Sequence, residues 1–249
     1  MNLLVDAFRW IFGGSIPGTD PIPEAYATHL AYTFISVFAA AVIAIPIGWW
    51  IGHTGRGRDV AVTVAGAARA IPSFGLFVLL ILIFGVLHQP EAAVVTFVIL
   101  AIPSILAGAY SGFEAIDRQI VDAGRAMGMT EWQIVWKIEV PLGLPLLVAG
   151  LRSAVLQVVA TVTIAAYVDI GGLGQYILAG LPLRRPDVVL GGAILVAALA
   201  LVLDAIFAIL QRLAVPRGLS GRPTRPSGAE AVGRQLTRRT RTTSAGLGA

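Results

Sequence analysis

The chain has 249 residues, of which 57% are hydrophobic and 13% are charged, and its mean hydropathy is +0.82. Soluble globular domains carry about 25% charged residues, so this composition excludes that class and indicates an integral membrane protein. Much of the positive charge lies in residues 215–249, so the body of the chain is not a basic nucleic-acid-binding surface.

Cysteine and histidine usage excludes further kinds of site. The chain contains no cysteine, which excludes disulfides, thiolate metal sites and a cysteine nucleophile. Its three histidines, His29, His53 and His88, lie far apart in the sequence. We therefore expect no metal site in this chain.

The apolar segments are continuous and long enough to cross a membrane as helices. A helical span needs about 20 apolar residues, whereas the strands of a membrane barrel would alternate apolar and polar residues. The sequence predicts an all-α, polytopic integral membrane protein with about five core transmembrane helices: residues 29–51, 71–88, 92–110, 143–168 and 188–213. Residues 1–28 are expected to form an extracytoplasmic N-terminal segment, and residues 60–70 an approach helix on the membrane surface.

Basic residues predict which ends of the spans face the cytoplasm. Five spans place the two termini on opposite sides of the membrane. One side collects most of the basic residues: Arg56, Arg58, Arg118, Arg125, Lys137 and the arginine-rich tail. The other side collects Arg9, Arg184 and Arg185. Because cytoplasmic loops carry the excess of Lys and Arg, the N-terminus is expected outside, and residues 215–249 form a basic, disordered cytoplasmic tail.

Residues 111–142 are unusually polar for a segment between two apolar spans. Residues 113–128 are compatible with one helix, and Gly128 is placed to end it as a C-terminal cap. The apolar positions of this helix recur near helical spacing and form a stripe of Ala115, Ile116, Ile120, Ala123 and Met127.

A second helix is expected directly after this one. Thr130 can cap its start, Trp132 and Trp136 share one of its faces, and Pro141 ends or bends it. The two helices make an elbow that is too polar to enter the bilayer. A plain inter-span loop with a capped amphipathic helix is the alternative interpretation.

The spacing within this elbow matches a known signature. From Asp122 the chain reads D-A-G, three residues, G, nine residues, I, one residue, V-P. This resembles the E-A-A-x3-G-x9-I-x-L-P signature of the permeases of ATP-binding-cassette (ABC) importers, with Asp for Glu, Gly for the second Ala and Val for Leu. The resemblance implies a type I ABC importer (MetI-like) permease fold and an elbow, residues 111–142, that docks in a groove of the ATPase. The residues assigned to this coupling are Asp122, Ala123, Gly124, Arg125, Gly128, Ile138 and Pro141.

Other stretches resemble the osmoprotectant subfamily of these permeases, over about residues 29–213. They include "AGAARAIPSFGLF", "SGFEAID" and "IGGLGQYI". The resemblance implies import of glycine betaine, choline, carnitine or a similar quaternary amine across the bacterial inner membrane. It also implies two ABC ATPase subunits, a second permease, identical or homologous, and an extracytoplasmic substrate-binding protein as partners.

A cluster of glycines after the fourth span has two interpretations. By resemblance, Gly171, Gly172 and Gly174 belong to an outer gate, and by composition alone they make a flexible outer turn. Asp169 departs from the small residue expected ahead of them, which changes the local charge of that gate.

Nucleotide hydrolysis is not expected in this chain. A phosphate-binding loop needs the pattern G-x-x-x-x-G-K-[ST], but the chain's one lysine, Lys137, is followed by Ile138. ATP and Mg²⁺ are therefore expected on a separate ATPase chain, and no cofactor on this one.

Polar residues inside spans are costly and tend to face an aqueous path or a bundle interior. Gln157, Thr161 and Thr163 in the fourth span are the candidates for a translocation path. Thr can instead bond its own helix backbone and Gln can bridge two helices, so both interpretations stay open. Arg152 is expected to reach the interface or the elbow, and Asp204 becomes its partner only if both lie at similar depth.

Two other functions remain open at this point. An ABC permease could carry different cargo, such as methionine or a sulfonate. A secondary transporter driven by an ion gradient would need carboxylates within the spans, and Asp204 is the one candidate.

Overall fold

The computed structural model describes residues 2–215, and every regular element in that range is a helix. The α-helices are α1 (Leu3–Gly13), α2 (Ile22–Thr54), α3 (Arg58–Ala70), α4 (Ser73–Phe84), α5 (Gln89–Glu114), α6 (Arg118–Ala126), α7 (Glu131–Ile134), α8 (Val140–Ala165), α9 (Gly174–Gly180) and α10 (Pro186–Ala214). Short 3-10 turns lie at Val86–His88 and Ala166–Val168, and a π-helical turn lies at Val135–Glu139. The tail predicted over residues 215–249 lies, apart from Val215, outside the described residues.

Within residues 2–215, four helical stretches are long and apolar enough to cross a membrane: Ile22–Thr54, Val86–Glu114, Glu131–Val168 and Pro186–Ala214. α3 and α4 make a fifth span if they are taken as one bent pair. This arrangement confirms the all-α polytopic fold. The helices run beyond the predicted spans, which were drawn around apolar residues alone. Polar residues at a helix end can continue the backbone hydrogen bonds of the helix, so they belong to it as well.

The chain bends by 87° between α3 and α4, where the sequence predicted a surface helix followed by a crossing. Ile71 has φ −70° and ψ 126°, the extended conformation that a residue before proline prefers. α4 has 12 residues and is therefore about 18 Å long at 1.5 Å per residue. It ends at Phe84, because Gly85 has φ 91°, and so it is shorter than the crossing predicted to reach residue 88.

The core of the bundle lies where α5 packs against α2 and α8. Gly108 of α5 faces Gly150 of α8: a methyl group on Gly108 would lie 2.7 Å from the Leu146 carbonyl oxygen, and one on Gly150 would lie 2.8 Å from the Ser104 carbonyl oxygen. Because no side chains lie between them, the two backbones approach closely. Lipid is as apolar as the helix surfaces, so the hydrophobic effect does not drive helices together in a membrane, and close packing of small residues stabilises their association instead.

At the end of the bundle opposite the elbow, α1 and α9 pack against α10. Trp10 of α1 is buried, with its ring edge-to-face to Tyr176 of α9 at a centroid distance of 5.1 Å. A methyl group on Gly191 of α10 would clash with the same indole ring. The N-terminal segment is therefore an ordered helix docked on the bundle.

Candidate functional site

The elbow begins with a break that the sequence did not predict, so residues 113–128 are not one helix. α5 ends at Glu114 and α6 begins at Arg118. The Asp117 side chain accepts a hydrogen bond from the Gln119 backbone N–H at 2.9 Å. This contact caps α6 and satisfies one of its otherwise unpaired donors, so the helix restarts at the aspartate.

The buried residues of α6 are not those of the predicted apolar stripe. Val121 and Gly124 are buried instead, together with Ile116 before the helix. Three residues of the predicted stripe form an exposed surface, which we name the elbow face: Ile120, Ala123 and Met127. Met127 is 75% exposed. These three side chains therefore do not belong to the small core inside the elbow.

Gly128 caps α6 as predicted. Its φ is +81°, a left-handed conformation that glycine adopts without steric penalty. The Gly128 N–H donates to the Arg125 carbonyl at 2.9 Å, and the Met129 N–H donates to the Gly124 carbonyl at 3.2 Å. This pair of bonds is the Schellman arrangement, and it fixes the turn between the two arms of the elbow.

Thr130 starts the second arm as predicted. Its Oγ1 accepts a hydrogen bond from the Gln133 backbone N–H at 3.3 Å, and its own N–H donates to Gln133 Oε1 at 3.0 Å. This reciprocal capping box satisfies two donors at the helix start.

Of the two outcomes predicted at Pro141, an end or a bend of the second arm, the structure excludes the end. The helix that begins at Glu131 passes through the π-helical turn Val135–Glu139 into α8 and reaches Ala165. A proline removes one backbone bond and its ring crowds the carbonyl four residues back, which is that of Lys137. The wider π turn directly before Pro141 gives the ring room, so the elbow and the fourth span form one continuous helix.

The two arms pack through two positions of the signature. A methyl group on Gly124 would lie 2.9 Å from Ile138 Cδ1 and 3.6 Å from both Ile134 Cγ1 and Met129 Sδ. A small apolar core closes the inside of the elbow around them: Ile116, Val121 and Ile134, with Met129, Ile138 and Leu142 packed against it. The elbow is therefore a folded unit.

Arg125 joins the two arms electrostatically. Its Nε and Nη2 donate to the two carboxylate oxygens of Glu131 at 2.9 and 3.1 Å, and its Nη1 donates to Asp122 Oδ1 at 3.0 Å. These bonds, those to Glu131 above all, raise the pKa of Arg125 above its usual value. The forked geometry suits a planar guanidinium, so Asp122 and Arg125 of the signature serve the shape of the elbow.

Four aromatic rings connect the elbow to the spans. Trp132 and Trp136 stand edge-to-face at 5.6 Å, as their spacing predicted. Trp136 in turn stands edge-to-face to Trp49 of α2 at 5.7 Å, and Trp49 stacks on Phe113 of α5 at 5.9 Å. Trp132 is 71% exposed, so the row runs from the open surface of the elbow into the core.

The three candidates for a translocation path make contacts within the bundle. Gln157 Oε1 accepts a hydrogen bond from Ser104 Oγ of α5 at 3.2 Å. Thr161 Oγ1 donates to the Gln157 carbonyl at 2.8 Å, and Thr163 Oγ1 donates to the Val159 carbonyl at 3.1 Å. Gln157 thus bridges α5 and α8, and the two threonines donate hydrogen bonds to backbone carbonyls of their own helix, α8.

Arg152 does not contact the elbow, contrary to one expectation. Its Nε and Nη2 donate to Asp204 Oδ1 and Oδ2 at 2.6 and 2.7 Å. The two residues therefore lie at the same depth of α8 and α10, the condition that the sequence left open.

The glycines of the candidate outer gate are closely packed. Gly171 and Gly172 have φ near +80°, and Asp169 adopts the left-handed conformation with φ 59°. A methyl group on Gly174 would clash with the Thr163 carbonyl. These contacts dock the start of α9 against the end of α8.

His29 of α2 holds the same region from the other side. Its Nδ1 accepts a hydrogen bond from the Leu173 N–H at 3.3 Å, and its Nε2 lies 3.1 Å from the Val159 carbonyl. A buried histidine therefore ties α2 to both α8 and the glycine cluster.

Two residues of the elbow junction were missed from the sequence. His53 Nδ1, in the last turn of α2, lies 2.6 Å from Glu139 Oε2, and His53 Nε2 lies 3.2 Å from Glu131 Oε2. The one sequence signal was a carboxylate, Glu139, just before the apolar start of the fourth span. Among residues 2–215 no group of three or more His, Cys, Asp or Glu side chains is placed to hold a metal ion.

Fold and site together define a multi-pass helical membrane protein with a capped polar elbow before its fourth span. The sequence profile described as "Binding-protein-dependent transport system inner membrane component" matches residues 44–217. The chain belongs to this family of inner-membrane transport components, and it is a multi-pass protein of the bacterial inner membrane.

Curated relatives match most of the chain. "Glycine betaine/carnitine/choline transport system permease protein OpuCB" of Bacillus subtilis is 30% identical, over 78% of this chain and 88% of its own. "Carnitine transport permease protein OpuCB" of Listeria monocytogenes is 32% identical, over 77% and 87%. "Osmoprotectant import permease protein OsmW" of Salmonella typhimurium is 31% identical, over 77% and 90%.

Solved structures of the MetNI methionine ABC transporter in inward-facing conformations share the fold. One chain superposes with a TM-score of 0.68 at 24% identity, covering 78% of this chain and 96% of its own. Another superposes with a TM-score of 0.67 at 27% identity, covering 76% and 94%. The expected MetI-like permease fold is thereby confirmed.

Proposed function

We propose that this chain is the permease subunit of an ABC importer that moves an osmoprotectant quaternary amine, such as glycine betaine, choline or carnitine, across the inner membrane. The observation that carries the proposal is the elbow. Its signature residues Gly124 and Ile138 lock two capped arms together beneath an exposed apolar face. A plain inter-span loop would need neither the lock nor the exposed face.

In this proposal the elbow face docks on a separate ATPase subunit that holds ATP and Mg²⁺. Closure of two such subunits pushes the elbow, and the push reaches α8 directly because the second arm continues into that helix. Rigid-body movement of packed helices then alternates the permease between inward-open and outward-open states. Two copies, or this chain and a homologous permease, enclose the path.

The choice of cargo rests on the relatives. Those named for glycine betaine, carnitine or choline are 27–32% identical over 77–78% of this chain. The methionine transporter structures support the fold, at 24% and 27% identity. An external binding protein is proposed to select the solute, while Gln157, Thr161 and Thr163 line the path and Asp169 with its glycines forms the outer gate.

The test is uptake by proteoliposomes that contain the permease with its cognate ATPase, with the binding protein added outside. Labelled glycine betaine, carnitine and choline are offered separately, and methionine serves as the control solute. The proposal predicts uptake of at least one quaternary amine that requires enclosed ATP and persists when ion gradients are dissipated. Uptake that follows an ion gradient without ATP, or uptake of methionine alone, contradicts it.

A further inference from the structure

Glu139 carries a buried carboxylate in the elbow. It lies between Ile138 and Val140, at a position where the signature allows any residue. Its side chain is 1% exposed, and within residues 2–215 His53 is its one hydrogen-bonding partner, at 2.6 Å. A buried carboxylate is strongly destabilising unless it is paired and hydrogen-bonded. The burial of Glu139 therefore depends on His53.

The backbone aims Glu139 at this partner. It is the last residue of the π-helical turn Val135–Glu139. A π turn holds an extra residue, which rotates the following positions by about 100° relative to a regular α-helix. Single π turns of this kind occur frequently at functional sites, and here the turn lies at the junction between the elbow and α8.

His53 extends the contact into a chain of five side chains, which we name the His53 clamp: Asp122, Arg125, Glu131, His53 and Glu139. Asp122 pairs with Arg125, Arg125 with Glu131, Glu131 with His53 Nε2, and His53 Nδ1 with Glu139. The chain begins at Asp122, the first residue of the signature, passes through His53 in the last turn of α2, and ends at Glu139. It connects the elbow to α2, whereas the backbone of the second arm continues into α8.

A second ion pair nearby provides a comparison. Arg58 Nε, at the start of α3, lies 2.7 Å from Glu114 Oε1, at the end of α5. This pair joins the ends of two membrane-associated helices without touching α6 or α7. Its Arg58 side chain is 55% exposed, so the pair is open to solvent, unlike the contact to Glu139.

We propose that His53 is a positioning residue that passes displacement of the elbow to α2. The inference rests on the proposed function, because it takes the elbow as the place where the ATPase pushes. Without the clamp, α8 still moves with the second arm, but α2 does not follow this movement. ATP hydrolysis is then no longer fully coupled to solute movement. The clamp thus sets how much solute crosses per ATP hydrolysed.

The test compares variants of the full complex by two measurements, the solute taken up per ATP hydrolysed and the thermal unfolding midpoint. His53→Leu leaves the Glu139 carboxylate buried without its partner, so both values fall. The double variant His53→Leu/Glu139→Leu removes that charge and recovers the midpoint. Its uptake per ATP stays below the wild-type value by at least about fivefold, the lower range of coupling between sites. Arg58→Gln, the matched control, keeps the wild-type ratio.

Each outcome decides one question. A wild-type ratio in the double variant overturns the role of His53 and leaves the proposed function standing. An equal loss of uptake per ATP in Arg58→Gln also overturns it, because the loss would then follow from removing any ion pair near the elbow. A wild-type complex without ATP-driven uptake overturns the proposed function and this inference with it.

Discussion

Gly124 and Ile138 touch across the elbow, so that a methyl group on Gly124 would lie 2.9 Å from Ile138 Cδ1. The signature spaces these two positions along the sequence, and the fold brings them together as the point where α6 lies on the second arm. The spacing therefore has a physical basis: it places a small residue opposite a branched one, on either side of a capped turn.

Replacing Gly124 tests this contact. Gly124→Ala should keep ATP-driven uptake near the wild-type value, because the Ile138 methyl at the far end of a flexible side chain can shift by a few tenths of an ångström. Gly124→Leu should abolish uptake, because overfilling a packed contact costs about 1–3 kcal/mol and separates the arms. Uptake is normalised to the amount of permease in the membrane. Equal activity of the two variants would refute the close packing.

The cap at Gly128 gives a second prediction. Its φ of +81° costs about 1–2 kcal/mol for a residue with a Cβ, although the space around it is open. Gly128→Ala should therefore weaken ATPase coupling and speed amide exchange in residues 124–131, as seen by hydrogen exchange. Gly128→Asn should be milder, since asparagine tolerates the left-handed conformation. If alanine and asparagine behave alike, backbone strain is not the cause.

The contact of α5 with α8 predicts a loss of stability rather than of coupling. Gly108→Leu would drive a side chain into the Leu146 carbonyl and the Gly150 backbone, so the thermal midpoint in detergent should fall by several degrees, for a cost of about 1–3 kcal/mol. Gly66→Leu is the matched control, because nothing lies within 4 Å of the new Cβ there. A similar fall in both variants would show that the loss is not specific to this contact.

The pair of Arg152 and Asp204 predicts a compensating double variant. Asp204→Leu leaves an unpaired guanidinium within the spans, and such charges are poorly tolerated there, so the yield of folded protein in membranes should drop. Arg152→Leu/Asp204→Leu should recover that yield. Quantification of monodisperse protein by size-exclusion chromatography checks both. A double variant as poor as the single one would mean that the ion pair itself is required.

Periodicity and spacing predicted the membrane class, the approximate number of spans and both caps of the elbow. They failed where tertiary structure decides. Ile120 and Met127 were placed on one apolar stripe of a single long helix, but the cap at Asp117 starts a new helix, in which both residues are exposed. The available signal was Asp117, which lies two residues before Gln119, whose backbone N–H its side chain caps.

The long-range ion pairs could not be predicted. His53 and Glu139 are 86 positions apart in the sequence, with α3 to α7 between them. Their contact also depends on a π turn that no local pattern specified. The pairing of Arg152 with Asp204 required the relative depth of two spans, which residue counts alone leave undetermined.

The central claim is that the elbow is the surface on which an ATPase acts, and single-cysteine labelling tests it most directly. The chain has no cysteine, so Met127→Cys introduces a unique thiol on the 75% exposed elbow face. Leu87→Cys places one in an exposed turn at the opposite end of α5 as the control. The rate of maleimide labelling is measured for each permease variant alone and after assembly with the ATPase. We predict strong protection at residue 127 and none at residue 87, and equal labelling at residue 127 in both states would contradict the claim.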